Sequence, residues 1–428
     1  MSRLNLWSYF VLTFAFLITA GSLVLILPNM YKGDLNYIDA LFTSTSAVCV
    51  TGLVVTNTSN FTFLGQVVIL SLIQLGGLGI MVLSTSFFLF LKGELDLKQR
   101  LAVKNLTDAF SIREAEYILK YIVIYTLVFE FIGAIFLTIG FYLDGNSLPF
   151  SIYNGVFHSV SAFCNAGFSI FDNSIIGMNW IIKVTIMCLI VLGGIGFYVI
   201  YDIHSYVKNI NNGLKRLKVH TKMVLITTSC LILLGAIVLS ILEHDMPLLD
   251  GFFQSVSART AGFNSVDLTK MTNISKFTIV ILMIIGASPG GTGGGIKTTT
   301  FAVSLISITS ILSSKDKIVL FKREIQYFQI LKAFSLIGAY IFILIVATLT
   351  MLYVYNYDFM DMLFEVASAL GTVGLSLGIT MKIGTIGKIL LMFCMFIGRV
   401  GTNALVLSLL GNEKSSKINY PEEKVIMG

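Results

Sequence analysis

Cys49-Val50-Thr51-Gly52-Leu53 returns three times in altered form: Cys164-Asn165-Ala166-Gly167-Phe168, Arg259-Thr260-Ala261-Gly262-Phe263 and Gly371-Thr372-Val373-Gly374-Leu375. Each copy is rich in small or oxygen-bearing residues and ends in glycine followed by a large apolar residue. The register extends outward. Ten residues before the four glycines stand Phe42, Phe157, Phe252 and Phe364, and five before stand Ala47, Ala162, Ser257 and Ala369. Near the start of each short segment, Asp39, Asn154, Asp250 and Asp361 are candidate helix N-caps. One glycine turn after a short helix is ordinary; four in one register form an internal repeat.

Long apolar runs flank every copy, at 7–27, 62–91, 117–143, 179–206, 221–242, 276–312, 327–355 and 383–410. Each is long enough to span a bilayer as a helix. Of 428 residues 56% are hydrophobic and 12% charged, about half the charged share of a soluble domain. The expected fold is an all-α polytopic membrane protein of four fused helix–pore-helix–helix repeats. Eight spans and four re-entrant loops would surround one pseudo-four-fold pore. The repeats fall at 1–91, 92–206, 207–312 and 313–410, with a tail at 411–428. The first run could be a cleaved signal peptide; its length and its continuation past Ala20 and Gly21 favour a retained helix.

The net charge of +6 is not a nucleic-acid footprint, because the basic residues follow alternate apolar runs. Arg3 precedes the first run. Lys92, Lys98, Arg100, Lys104 and Arg113 follow the second, and Lys208, Lys215, Arg216, Lys218 and Lys222 the fourth. Lys315, Lys317, Lys322 and Arg323 follow the sixth, and Lys414, Lys417 and Lys424 the eighth. The positive-inside rule then places both termini in the cytoplasm, with all four short segments entering from outside. Five cysteines (49, 164, 188, 230, 394) show no CxxC pairing, which argues against a disulfide framework or zinc site. His158, His204, His220 and His244 are scattered, so a membrane-embedded enzyme is a remote reading.

Non-helical backbone at membrane depth survives only when buried in protein or lining a watery path. Four loops around one axis meet that condition together. Each short helix would aim its negative C-terminal end at the centre, and the glycines permit positive φ. Val50, Thr51 and Gly52 would present carbonyls to an axis, with Asn165, Ala166 and Gly167, Thr260, Ala261 and Gly262, and Thr372, Val373 and Gly374 completing the ring. Such a ring replaces the water around K+. No ring of carboxylates accompanies it, which argues against a divalent cation. Arg259 is expected to point behind the ring and pair with Glu365 or Asp267; the other reading is that it limits cation occupancy.

Residues 286–297, Gly-Ala-Ser-Pro-Gly-Gly-Thr-Gly-Gly-Gly-Ile-Lys, break the sixth run. Glycine and proline are the poorest helix formers. Ile296 separates the last glycine from Lys297, so this is not a phosphate-binding loop, and no nucleotide is expected on this chain. The segment begins about 25 residues after Gly262, which puts it beneath the ring. Arg399 lies at a similar distance after Gly374, and a charge inside a span is a functional candidate. Glu130 is a second intramembrane charge, with no assignable partner. Lys183 is expected to snorkel to the interface. Gly76-Gly77 and Gly193-Gly194 read as helix-packing sites.

Ala47–Leu53, Ser257–Phe263 and the glycine-rich segment resemble the Trk/Ktr/HKT superfamily of potassium and sodium transporters. The resemblance covers nearly the whole chain. It is nearest to the Ktr-system membrane subunit, the KtrB type, since Trk-type subunits carry extra N-terminal helices. It implies potassium uptake across a bacterial plasma membrane, driven by the membrane potential, with Na+ a candidate activator. Na+- or H+-coupled symport is the alternative. Four filter glycines go with potassium preference; some plant sodium-selective relatives carry serine at the first position. The resemblance makes Ser288, Pro289, Gly290, Gly291, Thr292, Gly293, Gly294, Gly295 and Lys297 an intramembrane gate loop, opposed by Arg399. It further implies a homodimer with one pore per subunit and a cytoplasmic ring of KtrA-like nucleotide-binding regulatory subunits. Connections 92–116 and 207–222 and the tail 411–428 are the expected docking surfaces.

Overall fold

The computed structural model describes residues 6–79, 112–208, 216–314 and 317–401. Arg3, Lys215, Lys315, the connection 80–111 and the tail from 402 lie outside the described residues, and with them most of the expected docking surfaces.

The described chain is mostly helical, and a long–short–long order recurs four times. The first set is α1 (Leu6–Leu25), α2 (Tyr37–Val48) and α3 (Phe63–Leu78). The second is α4 (Ile112–Leu143), α5 (Leu148–Phe163), α6 (Trp180–Gly194) and α7 (Phe197–Lys208). The third is α8 (Val219–Leu242), α9 (Leu248–Ser257), α10 (Asn273–Ile284) and α11 (Thr298–Leu312). The fourth is α12 (Tyr327–Val354), α13 (Phe359–Leu370) and α14 (Thr385–Val400). A small hairpin, β1 (Val319–Leu320) and β2 (Arg323–Glu324), joins the third set to the fourth.

Three described helices are long and apolar enough to cross a membrane: Tyr121–Leu143, Val219–Leu242 and Tyr327–Val354. Only 28–33% of their apolar windows is buried, so most of that surface, including Phe131, Leu234 and Phe342, faces outward. Outward apolar faces of this extent suit lipid rather than water. The short helices do the opposite. Phe42, Phe157 and Phe364 are sealed inside. The third copy departs from the expected register. Phe252 is only half-buried, and Phe253 fills the core instead. The cause is a loop one residue shorter: Ser257, which holds the third loop, stands five residues before its glycine, whereas Ser46, Ser161 and Ser368 stand six before theirs.

Two further expectations change. The fourth apolar run is not one straight span, because α6 and α7 meet at 93°. Gly196 stands at the corner with φ +98°, a conformation open to glycine. Asp39, Asn154, Asp250 and Asp361 are not caps. The capping positions are Asn36, Ser147, Pro247 and Asp358. The three acids lie within the first turn, where another partner holds them, and Asn154 donates to Phe150 O at 2.9 Å.

Candidate ion pathway

Each glycine loop leaves its short helix by the same backbone route. Val50, Asn165, Thr260 and Thr372 take φ of +56°, +57°, +75° and +50°. Two residues later Gly52, Gly167, Gly262 and Gly374 take +91°, +70°, +78° and +93°. A left-handed residue at a β-branched valine or threonine is strained. Such strain persists only where the surroundings impose it. Here four buried serines do so. Ser46 O accepts from Thr51 N at 2.8 Å, Ser161 O from Ala166 N at 2.7 Å, Ser257 O from Ala261 N at 2.9 Å and Ser368 O from Val373 N at 2.8 Å. Their hydroxyls complete the hold. Ser46 and Ser368 accept from Gly52 N and Gly374 N, while Ser161 and Ser257 donate to Phe168 O and Phe263 O. Sequence reasoning missed these serines. The signal was Ser257 in a column of alanines, which marks the one-residue offset of the third copy.

The four loops close on one another. A Cβ on Gly167 would lie 2.6 Å from Ala261 O, and one on Gly262 2.5 Å from Val373 O. A Cβ on Gly374 would meet Thr51 O, and one on Gly52 would meet Ala166 O. Each glycine therefore abuts the backbone carbonyl of the next loop, and the fourth returns to the first. Above the ring lies a cavity of about 200 Å³ lined by all four glycines, with Asn57, Asp172 and Asn264 on its walls. Outside it, Asp267 is held below the usual carboxylate range, chiefly by the Thr269 hydroxyl at 2.6 Å.

Beneath the ring, the two ends of the glycine-rich loop zip together. Gly286 N donates to Ile296 O at 2.9 Å and Ile296 N to Ile284 O at 3.1 Å. Glycine is required at 293 and 294, where a Cβ would collide with Thr260 Oγ1 and Thr372 Oγ1. The loop thus lies directly against the inner residues of two copies. It docks into the bend between α6 and α7: Ser288 N donates to Gly194 O at 3.0 Å, Thr292 N to Gly193 O at 3.1 Å, and Phe197 N to Gly290 O at 3.1 Å. Thr292 Oγ1 reaches Phe163 O at 3.2 Å, and Lys297 Nζ reaches Gly293 O at 2.7 Å. Pro289 O lies against Gly196, Gly291 N caps Ser288 O at 3.1 Å, and Gly295 turns with φ +70°.

Arg399 ties this loop to two other helices. Its Nη1 donates to Thr292 O, and its Nη2 donates to Gly76 O and, at 2.8 Å, to Gly77 O. The glycine pairs do mark close packing, since a Cβ on Gly76 or Gly193 would strike Val48 O or Phe163 O. They also supply carbonyls to Arg399 and the loop, which the packing reading had not included.

The expected pairing of Arg259 is overturned. Glu365 is occupied by Ser376 Oγ at 2.7 Å, Leu377 N at 2.8 Å and the Thr380 hydroxyl, and Asp267 by Thr269 and Lys270. Arg259 points behind the ring, where Nη1 donates to Thr228 O at 3.4 Å. Glu130 has partners after all: Gln74 Nε2 at 3.4 Å and Cys164 Sγ at 3.9 Å.

Lys183 does not snorkel. It is buried against Asp250 at 2.6 Å. The pair belongs to a series running from the second long helix of one set to the short helix of the next. Lys276 meets Asp361 at 3.1 Å and Lys388 meets Asp39 at 2.5 Å. At the remaining seam Gln66 accepts from the Tyr153 hydroxyl, a neutral counterpart. Removing one member of a buried pair strands the other charge and costs about 3–5 kcal/mol. Lys183→Met is therefore expected to lower the thermal midpoint sharply, and Lys183→Met with Asp250→Leu to recover most of the loss. A single variant as stable as the parent would show that the pair does not join the seam.

The TrkH family profile, described as a cation transport protein, matches residues 9–418. The chain belongs to the TrkH family of cation transport proteins. Curated relatives of this TrkH-family chain include the Ktr system potassium uptake protein B of Vibrio alginolyticus, 35% identical over 98% of this chain and 94% of the relative. The protein of the same name in Bacillus subtilis is 35% identical over 98% and 96%, and the potassium/sodium uptake protein NtpJ of Enterococcus hirae 34% identical over 97% and 95%. The crystal structure of the potassium transporter TrkH from Vibrio parahaemolyticus superposes with a TM-score of 0.72 at 19% identity, over 94% of this chain and 84% of that one. The fold is thus that of TrkH. The relatives are ion transporters rather than enzymes, and they and the apolar helices make this a multi-pass membrane protein.

Proposed function

We propose that this TrkH-family chain takes up potassium through a channel-like pore whose filter is the ring of four glycine loops. The observation carrying this reading is the closed ring, in which each loop pairs a left-handed residue with a left-handed glycine two positions on. Carbonyls so arranged replace an ion's water without any fixed negative charge, which suits a large monovalent cation. The membrane potential drives entry with about 2.3 kcal/mol per charge per 100 mV. The glycine-rich loop beneath the ring is the gate, latched by Arg399 and braced internally by Lys297 through Gly293 O. The charge distribution favours cytoplasmic termini and a bacterial plasma membrane. The names of the Ktr relatives favour a system with a further subunit, taken here as a KtrA-like cytoplasmic ring acting on a homodimer. Connection 207–222 is one docking candidate. The potassium/sodium name of the Enterococcus hirae relative keeps sodium as an activator or coupled ion in a second reading.

Rubidium influx into proteoliposomes separates these readings. With the regulatory partner bound and an inside-negative potential imposed, influx is expected without sodium. An absolute requirement for a sodium or proton gradient would favour symport, and no potential-driven influx under any of these conditions would reject the pore.

A further inference from the structure

At the end of the molecule opposite the glycine ring, α8 begins beside the β1–β2 hairpin. Between them lies a cleft of about 480 Å³. Arg216, Lys218, Lys222, Lys322 and Arg323 line it, together with Phe321. Its described lining contains no carboxylate. We propose that this cleft binds the phosphate headgroup of an anionic phospholipid in the adjoining leaflet.

The cleft is a built feature rather than a spread of loose lysines. Phe321 and Lys322 form the hairpin turn, with φ of +50° and +63°, and Ile325 N closes it on Ile318 O at 2.9 Å. Ile318 anchors the hairpin inside the protein. Lys222 Nζ rests 5.5 Å from the Phe321 ring centre, and Lys218 Nζ 5.1 Å from that of Tyr198. Two described acids near it have partners of their own. Glu324 pairs with Lys317 at 3.2 Å. Asp202 takes the Lys218 backbone N–H at 3.0 Å and the Thr221 hydroxyl at 2.7 Å, capping α8. Arg216, Lys222, Lys322 and Arg323 give the cleft its positive charge, while the helix start is already satisfied.

Its level favours lipid over a free anion. Phe321, Tyr327 and Phe328 are 41%, 73% and 73% exposed beside it. Aromatic side chains collect at membrane–water interfaces. Leu312, closing α11 just before the hairpin, is 81% exposed and suits an acyl chain. Each basic residue near an anionic leaflet strengthens attraction about fivefold. The membrane placement rests on the function proposed above, but lipid binding can be read without any ion flux.

The test is native mass spectrometry on the purified full chain in detergent. Short-chain phosphatidylglycerol is the probe, phosphatidylcholine the neutral control and inorganic phosphate the competitor. The parent protein is expected to retain phosphatidylglycerol over phosphatidylcholine, without displacement by inorganic phosphate. Lys222→Gln with Lys322→Gln is expected to lower that retention at least about tenfold, and Lys222→Arg with Lys322→Arg to keep it. Equal retention of both lipids, or unchanged retention by the glutamine variant, would overturn the proposal. Displacement by millimolar phosphate would make a free anion the ligand instead. Unchanged lipid retention with lost binding of the regulatory subunit would make the cleft a protein dock.

Discussion

Gly52→Ser is expected to reduce the preference for potassium over sodium by about tenfold or more, since tenfold corresponds to only about 1.4 kcal/mol of differential binding. Two effects act together. Gly52 has φ +91°, and a side chain there costs about 1–2 kcal/mol in conformational strain. The added Cβ would also strike Ala166 O and lie 3.0 Å from Gly167 Cα. The neighbouring loop must then retreat, which widens one quarter of a ring closed by direct contact. A wider ring fits potassium less well, while sodium keeps more of its water and is less affected. The measurement is rubidium against sodium influx in the same proteoliposomes. Gly177→Ala serves as control: Gly177 also has positive φ, at +78°, but a Cβ there would have no neighbour within 4 Å. An unchanged ratio in folded Gly52→Ser protein, or an equal change in Gly177→Ala, would reject the ring as the seat of selectivity.

The ring was legible in the sequence because its cause is local. A left-handed turn needs glycine, and the turn recurs at nearly constant spacing from an apolar phenylalanine. The glycine-rich loop was legible for a similar reason, since nothing else fits a break within an apolar run. Contacts between distant segments were not legible. Lys183, Lys276 and Lys388 find acids 67, 85 and 349 residues away, and no local pattern distinguishes a paired intramembrane lysine from a snorkelling one. The same limit hid the partner of Arg259, whose neighbours on α8 are set by packing. The dock for the glycine-rich loop was half visible. Gly193-Gly194 was noted, but Gly196 was not, and the full Gly-Gly-Ile-Gly run is what allows a right-angled bend. The asymmetry beneath the ring follows from these departures. Among the described residues, three seams between sets carry an ion pair and one is neutral, and the third set interrupts its inner helix with a loop that docks on the second.

Arg399→Gln tests whether that asymmetry gates the pathway. The guanidinium donates to carbonyls of the glycine-rich loop and of α3 at once, so the loop cannot leave while α14 and α3 stay in place. A hydrogen bond to a charged group contributes about 1.5–3 kcal/mol. Losing the link to Thr292 is expected to raise basal rubidium influx about tenfold or more, without the regulatory partner. Gly193, Gly194 and Phe163 still bond Thr292 and Ser288, so the loop stays partly retained. The positive charge itself also opposes a cation beneath the ring, and its removal acts in the same direction. Arg399→Lys separates the two effects. Lysine keeps the charge but cannot reproduce the planar fork that reaches several carbonyls. Leak in both variants would assign closure to the latch; leak in Gln alone would assign it to the charge. Parental or lower influx in both, with thermal midpoints intact, would remove Arg399 from gating and leave it a structural bolt between α14, α3 and the loop.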